Sequence, residues 1–162
     1  MREAGGFTLI ELVVILVVLG ILAVFLLPNM RTLSAFQERG EYDRVLSAVQ
    51  YARKAAIAKR RYVCVTPAAT SVTLTIDPNP PESTATPFGG TCPFANPLPL
   101  PAPDLDTPCG ATNQTCLKAT SIQSPVPAAF QFDALGRTAA TVTLTVTGFP
   151  VITIEGETGY VR

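Results

Sequence analysis

The side chains in this sequence that could do chemistry are a glutamate set into an apolar stretch, Glu11, and four cysteines. Beyond Glu11, Leu12 to Leu27 is an unbroken run of sixteen residues with no charged or polar side chain. A carboxylate in a membrane helix costs about 2.5–3.5 kcal/mol at the bilayer centre and less near an end, so Glu11 requires a compensating cation or a path to the headgroups. Cys64, Cys92, Cys109 and Cys116 form an even set, all beyond the apolar run, and in an exported segment they would make two disulfides. A zinc site does not suit them, because the chain has no histidine and no C-x2-C pair. Without histidine, acid-base catalysis would fall to carboxylates, and Asp104 with Asp106 sits in a proline-rich stretch without a neighbouring base. There is no dinucleotide or phosphate-loop motif, so no cofactor and no enzyme activity are expected.

These residues must be positioned by a few elements. Phe7 to Leu27 would form a helix roughly 31 Å long, matching the hydrocarbon core of a bilayer. Pro28 cannot donate a backbone N–H and predicts a kink, or a break between a membrane half and a soluble half. Beyond it Leu33, Phe36, Tyr42, Val45, Leu46, Val49, Ala52, Ala56 and Ile57 recur at three- and four-residue steps, the pattern of a helix with one buried stripe. This segment, 31–61, carries eight basic residues against three acidic ones, while 62–162 carries three against seven. A basic stem under an acidic head suggests electrostatic packing between subunits.

Strand signals follow at once. Tyr62 to Thr66, then Val72, Leu74 and Ile76 alternating with Ser71, Thr73 and Thr75, predict a hairpin through Pro67. From Asp77 to Pro127 there are twelve prolines, which argue against a central strand or a long helix and predict a long surface excursion pinned by its three cysteines. Phe130 with Phe132, Val142 to Val146, Val151 to Ile154 and Tyr160 to Arg162 then alternate as half-buried antiparallel strands, punctuated by Gly136, Gly148, Gly156 and Gly159. The fold class is α+β: a long N-terminal helix, membrane half plus amphipathic half, packed on an antiparallel β-sheet head.

The sequence Gly5-Gly6-Phe7-Thr8-Leu9-Ile10-Glu11-Leu12 that opens the apolar run closely resembles the class III signal of type IV prepilins and pseudopilins. The resemblance implies a leader of residues 1–6, a transmembrane and assembly helix over 7–30, an amphipathic helix over 31–61 and a β-rich head over 62–162 with its proline-rich loop at 77–127. It implies a prepilin peptidase that cuts between Gly6 and Phe7 and methylates the new amine of Phe7. It also implies that Glu11 faces the positive N-terminus of a neighbouring subunit during assembly, with the chain held in a bacterial inner membrane and its head outside the cytoplasm.

Leu46 to Val65, with Ala52-Arg53 and Ala55-Ala56, resembles the helix-to-strand region of minor pilins and pseudopilins of the GspH and FimT type, as do Phe130 to Asp133, Gly136-Arg137 and Val151 to Val161. The partners implied are other pilin or pseudopilin subunits in a pilus or type II secretion filament. Some FimT-type proteins bind DNA through a C-terminal glycine-arginine motif; here Gly159-Tyr160-Val161-Arg162 has Tyr160 in place of one arginine and Glu155 and Glu157 beside it, which weakens that reading. A filament-tip adhesin is a further alternative. Four cysteines allow three pairings, and the expected one is Cys64 with Cys92, tying the excursion to the first strand, and Cys109 with Cys116, closing a short loop around Gly110 and Asn113.

Overall fold

The computed structural model describes residues 8–26, 30–79, 91–101, 103 and 110–162. The chain divides into two compact units, Met1–Gln37 and Glu38–Arg162. The first contains helix α1, Leu9–Leu26, and the start of helix α2, Met30–Lys59. Pro28, where a kink is expected, lies outside the described residues.

In the second unit α2 buries Val45, Ala48, Val49, Ala52, Ala55 and Ala56. All of these but Ala48 share one core with Val63, Val65, Leu74 and Phe132 of the sheet. The expected stripe is narrower at both ends: Phe36 is 74% exposed and Ile57 42% exposed. Phe36 precedes the head, which begins at Glu38, and Ile57 sits at the rim, where its side chain meets Gly136. The helix ends in a Schellman motif, with Arg60 N–H donating to Ile57 O at 3.3 Å and Arg61 N–H to Ala56 O at 3.1 Å. Arg60 takes the left-handed conformation there, φ 49°, a position usually given to glycine.

Strands β1 (Val63–Ala68) and β2 (Ser71–Ile76) form the predicted hairpin, in register from Val63 opposite Ile76 to Ala68 opposite Ser71. Pro67 lies inside β1 rather than in the turn. It is tolerated because β5 (Phe130–Phe132) pairs β1 only over Val63–Val65, leaving that flank of Pro67 without a ladder. On the far side of β2 lie β3 (Asn96–Pro97) and β4 (Gln114–Cys116), end to end. Asn113 joins them, its carbonyl accepting from Leu74 N–H at 2.9 Å and its Nδ2 donating to Leu74 O at 2.8 Å. A second, two-stranded sheet pairs β6 (Val142–Thr145) with β7 (Val151–Ile154).

The proline-rich stretch is not the surface excursion expected for it over its described residues. Leu98, Leu117 and Ile122 are buried in the core with Leu74, Phe132, Leu144 and Ile152. Prolines bar a central strand but not an edge strand, and here Leu98 and Leu117, each directly following an edge strand, are buried. Cys64 and Cys92 are joined by a disulfide, with Cα atoms 5.7 Å apart. Cys116 is also disulfide-bonded, and Cys109, its expected partner, lies outside the described residues.

Candidate assembly site

Thr8 is the N-cap of α1. Its Oγ1 accepts from Glu11 N–H at 3.4 Å and its carbonyl from Leu12 N–H at 3.2 Å, so Thr8 and Glu11 stand at the first and last positions of a capping-box sequence. Glu11 is exposed, in the first turn, where its carboxylate favours the helix dipole. Gly6 and Phe7, the expected cut and methylation positions, lie outside the described residues.

The helix itself is apolar on every side, and among the described residues nothing covers it over residues 9–23. From Leu9, 83% exposed, through Val13, 44% exposed, to Leu22, 52% exposed, each large side chain is open. A helix apolar all round belongs inside something, whether a larger protein, an assembly or a membrane. At 18 residues it is about 27 Å long. Among the described residues no helix is long and apolar enough to cross a membrane.

Two contacts that sequence reasoning missed hold the head to α2. Glu41, 6% exposed, accepts hydrogen bonds from Lys118 N–H at 2.8 Å, Ala119 N–H at 3.0 Å, Thr120 N–H at 2.9 Å and Thr120 Oγ1 at 2.9 Å. Burial pushes its pKa up, but the bonds from Lys118, Ala119 and Thr120 together hold it below the ordinary 4.5. Arg53 donates through Nε to Gly136 O at 3.3 Å and through Nη2 to Thr158 O at 2.9 Å. Two of the glycines noted in the sequence are thereby brought to one place: Gly136 and Gly159 pack together under the Arg53 guanidinium.

The C-terminal arginine is engaged within the head. Arg162 Nη2 lies 2.9 Å from Glu155 Oε1, and the backbone of Arg162 bonds Thr153 in both directions, at 2.7 and 3.0 Å. Asp133 closes its own turn, accepting from Leu135 and Arg137 N–H at 2.9 and 2.8 Å and from the Arg137 guanidinium at 2.9 Å. Among the described residues no group of acidic residues, cysteines or histidines is arranged to hold a metal.

Residues 1–27 match the family model described as the prokaryotic N-terminal methylation motif. No curated protein sequence matches the chain. Two crystal forms of the type IV minor pilin FimU of Pseudomonas aeruginosa share the fold, with TM-scores of 0.52 and 0.53 at 13% identity. The match covers 76% of this chain and 90% or 85% of the FimU chains. At that identity the likeness is one of fold, a helix packed on an antiparallel sheet. The chain thus joins an N-terminal methylation motif over residues 1–27 to the fold of a type IV minor pilin.

Proposed function

We propose that this chain is a minor pilin or pseudopilin, a structural subunit of a type IV pilus or type II secretion filament. A prepilin peptidase removes residues 1–6 and methylates the amine of Phe7, and the apolar helix holds the subunit in the inner membrane until it enters the filament. The observation that carries this reading is α1, apolar around its whole circumference and exposed over residues 9–23, with Glu11 as its single charge.

In a bundle of such helices the apolar faces pack against one another, and Glu11 is the group left without compensation. The amine of Phe7 on a neighbouring subunit supplies the opposite charge, and methylation leaves it a base. The pair sets the axial register between subunits, a use of ionic groups in apolar surroundings that is well attested in coiled coils. Incorporation into sheared filaments tests this. Glu11→Ala should insert into membranes at least as well as the wild type but be depleted from filaments; normal incorporation would remove the Glu11–Phe7 pairing.

A further inference from the structure

Four large apolar side chains stand exposed among the described residues of the head: Ile57, Leu135, Val151 and Tyr160. Three of them converge on one junction. Ile57, near the end of α2, lies against Gly136, where an added Cβ would come within 2.6 Å of its Cδ1. Leu135 precedes Gly136, and Tyr160 follows Gly159, which packs on the Gly136 carbonyl. Each is presented by a fastened backbone. Asp133 accepts from the N–H groups of Leu135 and Arg137, Tyr160 lies between the buried Gly159 and Val161, and Arg53 donates to the carbonyls of Gly136 and Thr158.

The unspent charge around the junction is positive. Lys54, Lys59 and Arg60 are exposed and make no ion pair among the described residues. Of the acids in these segments, Asp133 is buried and bonded to Arg137, Glu155 bonds Arg162, and Glu157 lines a different hollow with Arg137. Between Lys54 and Tyr160 lies a hollow of about 190 Å³, lined also by Gln50, Arg53 and Val161. A pocket that engulfs a small molecule holds roughly 300–1,000 Å³, so this one suits a single side chain of a larger partner. Arg53 gives one N–H to Gly136 and one to Thr158, and the rest of its five donors remain. With Lys54 and Gln50 it can hold a carboxylate, while Tyr160 and Val161 receive the methylenes that carry it.

We infer that this junction is a docking surface for another protein, whose contacting segment sets an acidic side chain into the hollow and an apolar one on Ile57 and Leu135. Apolar side chains on a fastened backbone lose little freedom on binding, and a central anchor seated in a pocket carries most of the energy of such contacts. The positive rim selects an acidic segment over a basic or neutral one. Ile57 and Leu135 select protein over nucleic acid, because bases stack on aromatic rings and phosphates gain nothing from aliphatic carbon. The inference concerns the head alone and stands whether or not the chain enters a filament.

Full-length protein in a detergent that covers α1 provides the test, panned against a random-peptide library displayed on phage. Enriched peptides should place Asp or Glu within a few residues of Leu, Ile or Phe. Synthetic copies should bind about tenfold or more weakly to Lys54→Glu and to Leu135→Ser. Both side chains are exposed, so neither change touches the core, and an intact Cys64–Cys92 bond verifies the fold of each variant. Val151→Ser, at the exposed apolar side chain outside the junction, should bind as the wild type does. No enrichment, enriched peptides without an acid, binding that survives either of the first two substitutions, or an equal loss in Val151→Ser would overturn the inference. So would displacement of the peptides by a single-stranded oligonucleotide at physiological ionic strength, which would make the surface a nucleic-acid site.

Discussion

Gly159 lies directly on the carbonyl of Gly136, so close that a Cβ built on Gly159 would overlap that oxygen. Both residues have positive φ, 62° and 78°, and Arg53 binds the carbonyl of Gly136 and that of Thr158. This contact fastens the turn after β5 to the C-terminal segment on the surface of α2.

Gly159→Ala should therefore be severely destabilising. The left-handed conformation costs a side chain roughly 1–2 kcal/mol, and the clash is with backbone, which cannot rotate away. Urea unfolding of the head should show a loss of about 2 kcal/mol or more. Gly148→Ala, also at positive φ but with nothing within 4 Å of its Cβ, should cost only the conformational part.

Glu41 makes a pH-dependent contribution. Its folded pKa lies below 4.5, so its stabilisation is fully present above about that pH and is lost as pH falls through the lower folded value. Glu41→Gln should lower stability at neutral pH by about 1–3 kcal/mol and flatten the acid limb of the stability profile. A variant whose acid limb matched the wild type would show that the carboxylate is not the anchor.

The Cys64–Cys92 bond closes a loop with a sequence separation of 28. In the entropy model such a loop contributes about 3–4 kcal/mol, and a short one less. Cys64→Ala should thus lower the unfolding midpoint more than Cys116→Ala. Non-reducing peptide mapping should recover the Cys64 peptide linked to that of Cys92.

What was legible in the sequence was whatever depends on neighbours along the chain. The apolar run, the helix stripe at Val45, Val49, Ala52 and Ala56, and the β1–β2 hairpin each follow from local periodicity. Glu41 escaped because its partners lie 77 to 79 residues away and, the Thr120 hydroxyl apart, are backbone groups, which carry no residue-type signal. Arg53 was noted for its place in a resemblance, but its bonds to Gly136 and Thr158 span 83 and 105 residues. The proline-rich stretch misled for a different reason. Proline counts argue against central strands, whereas a short edge strand ending at Pro97 tolerates one, and Leu98 beside it is buried.

The central claim, that this is a processed pilin-like subunit, is tested most directly by intact-mass and N-terminal analysis of the protein extracted from membranes of cells with an active prepilin peptidase. The chain should begin at Phe7 and carry one added methyl group, and Gly6→Val should abolish the cut by placing a side chain at the bond. Recovery of the chain with Met1 intact from such cells would contradict the account.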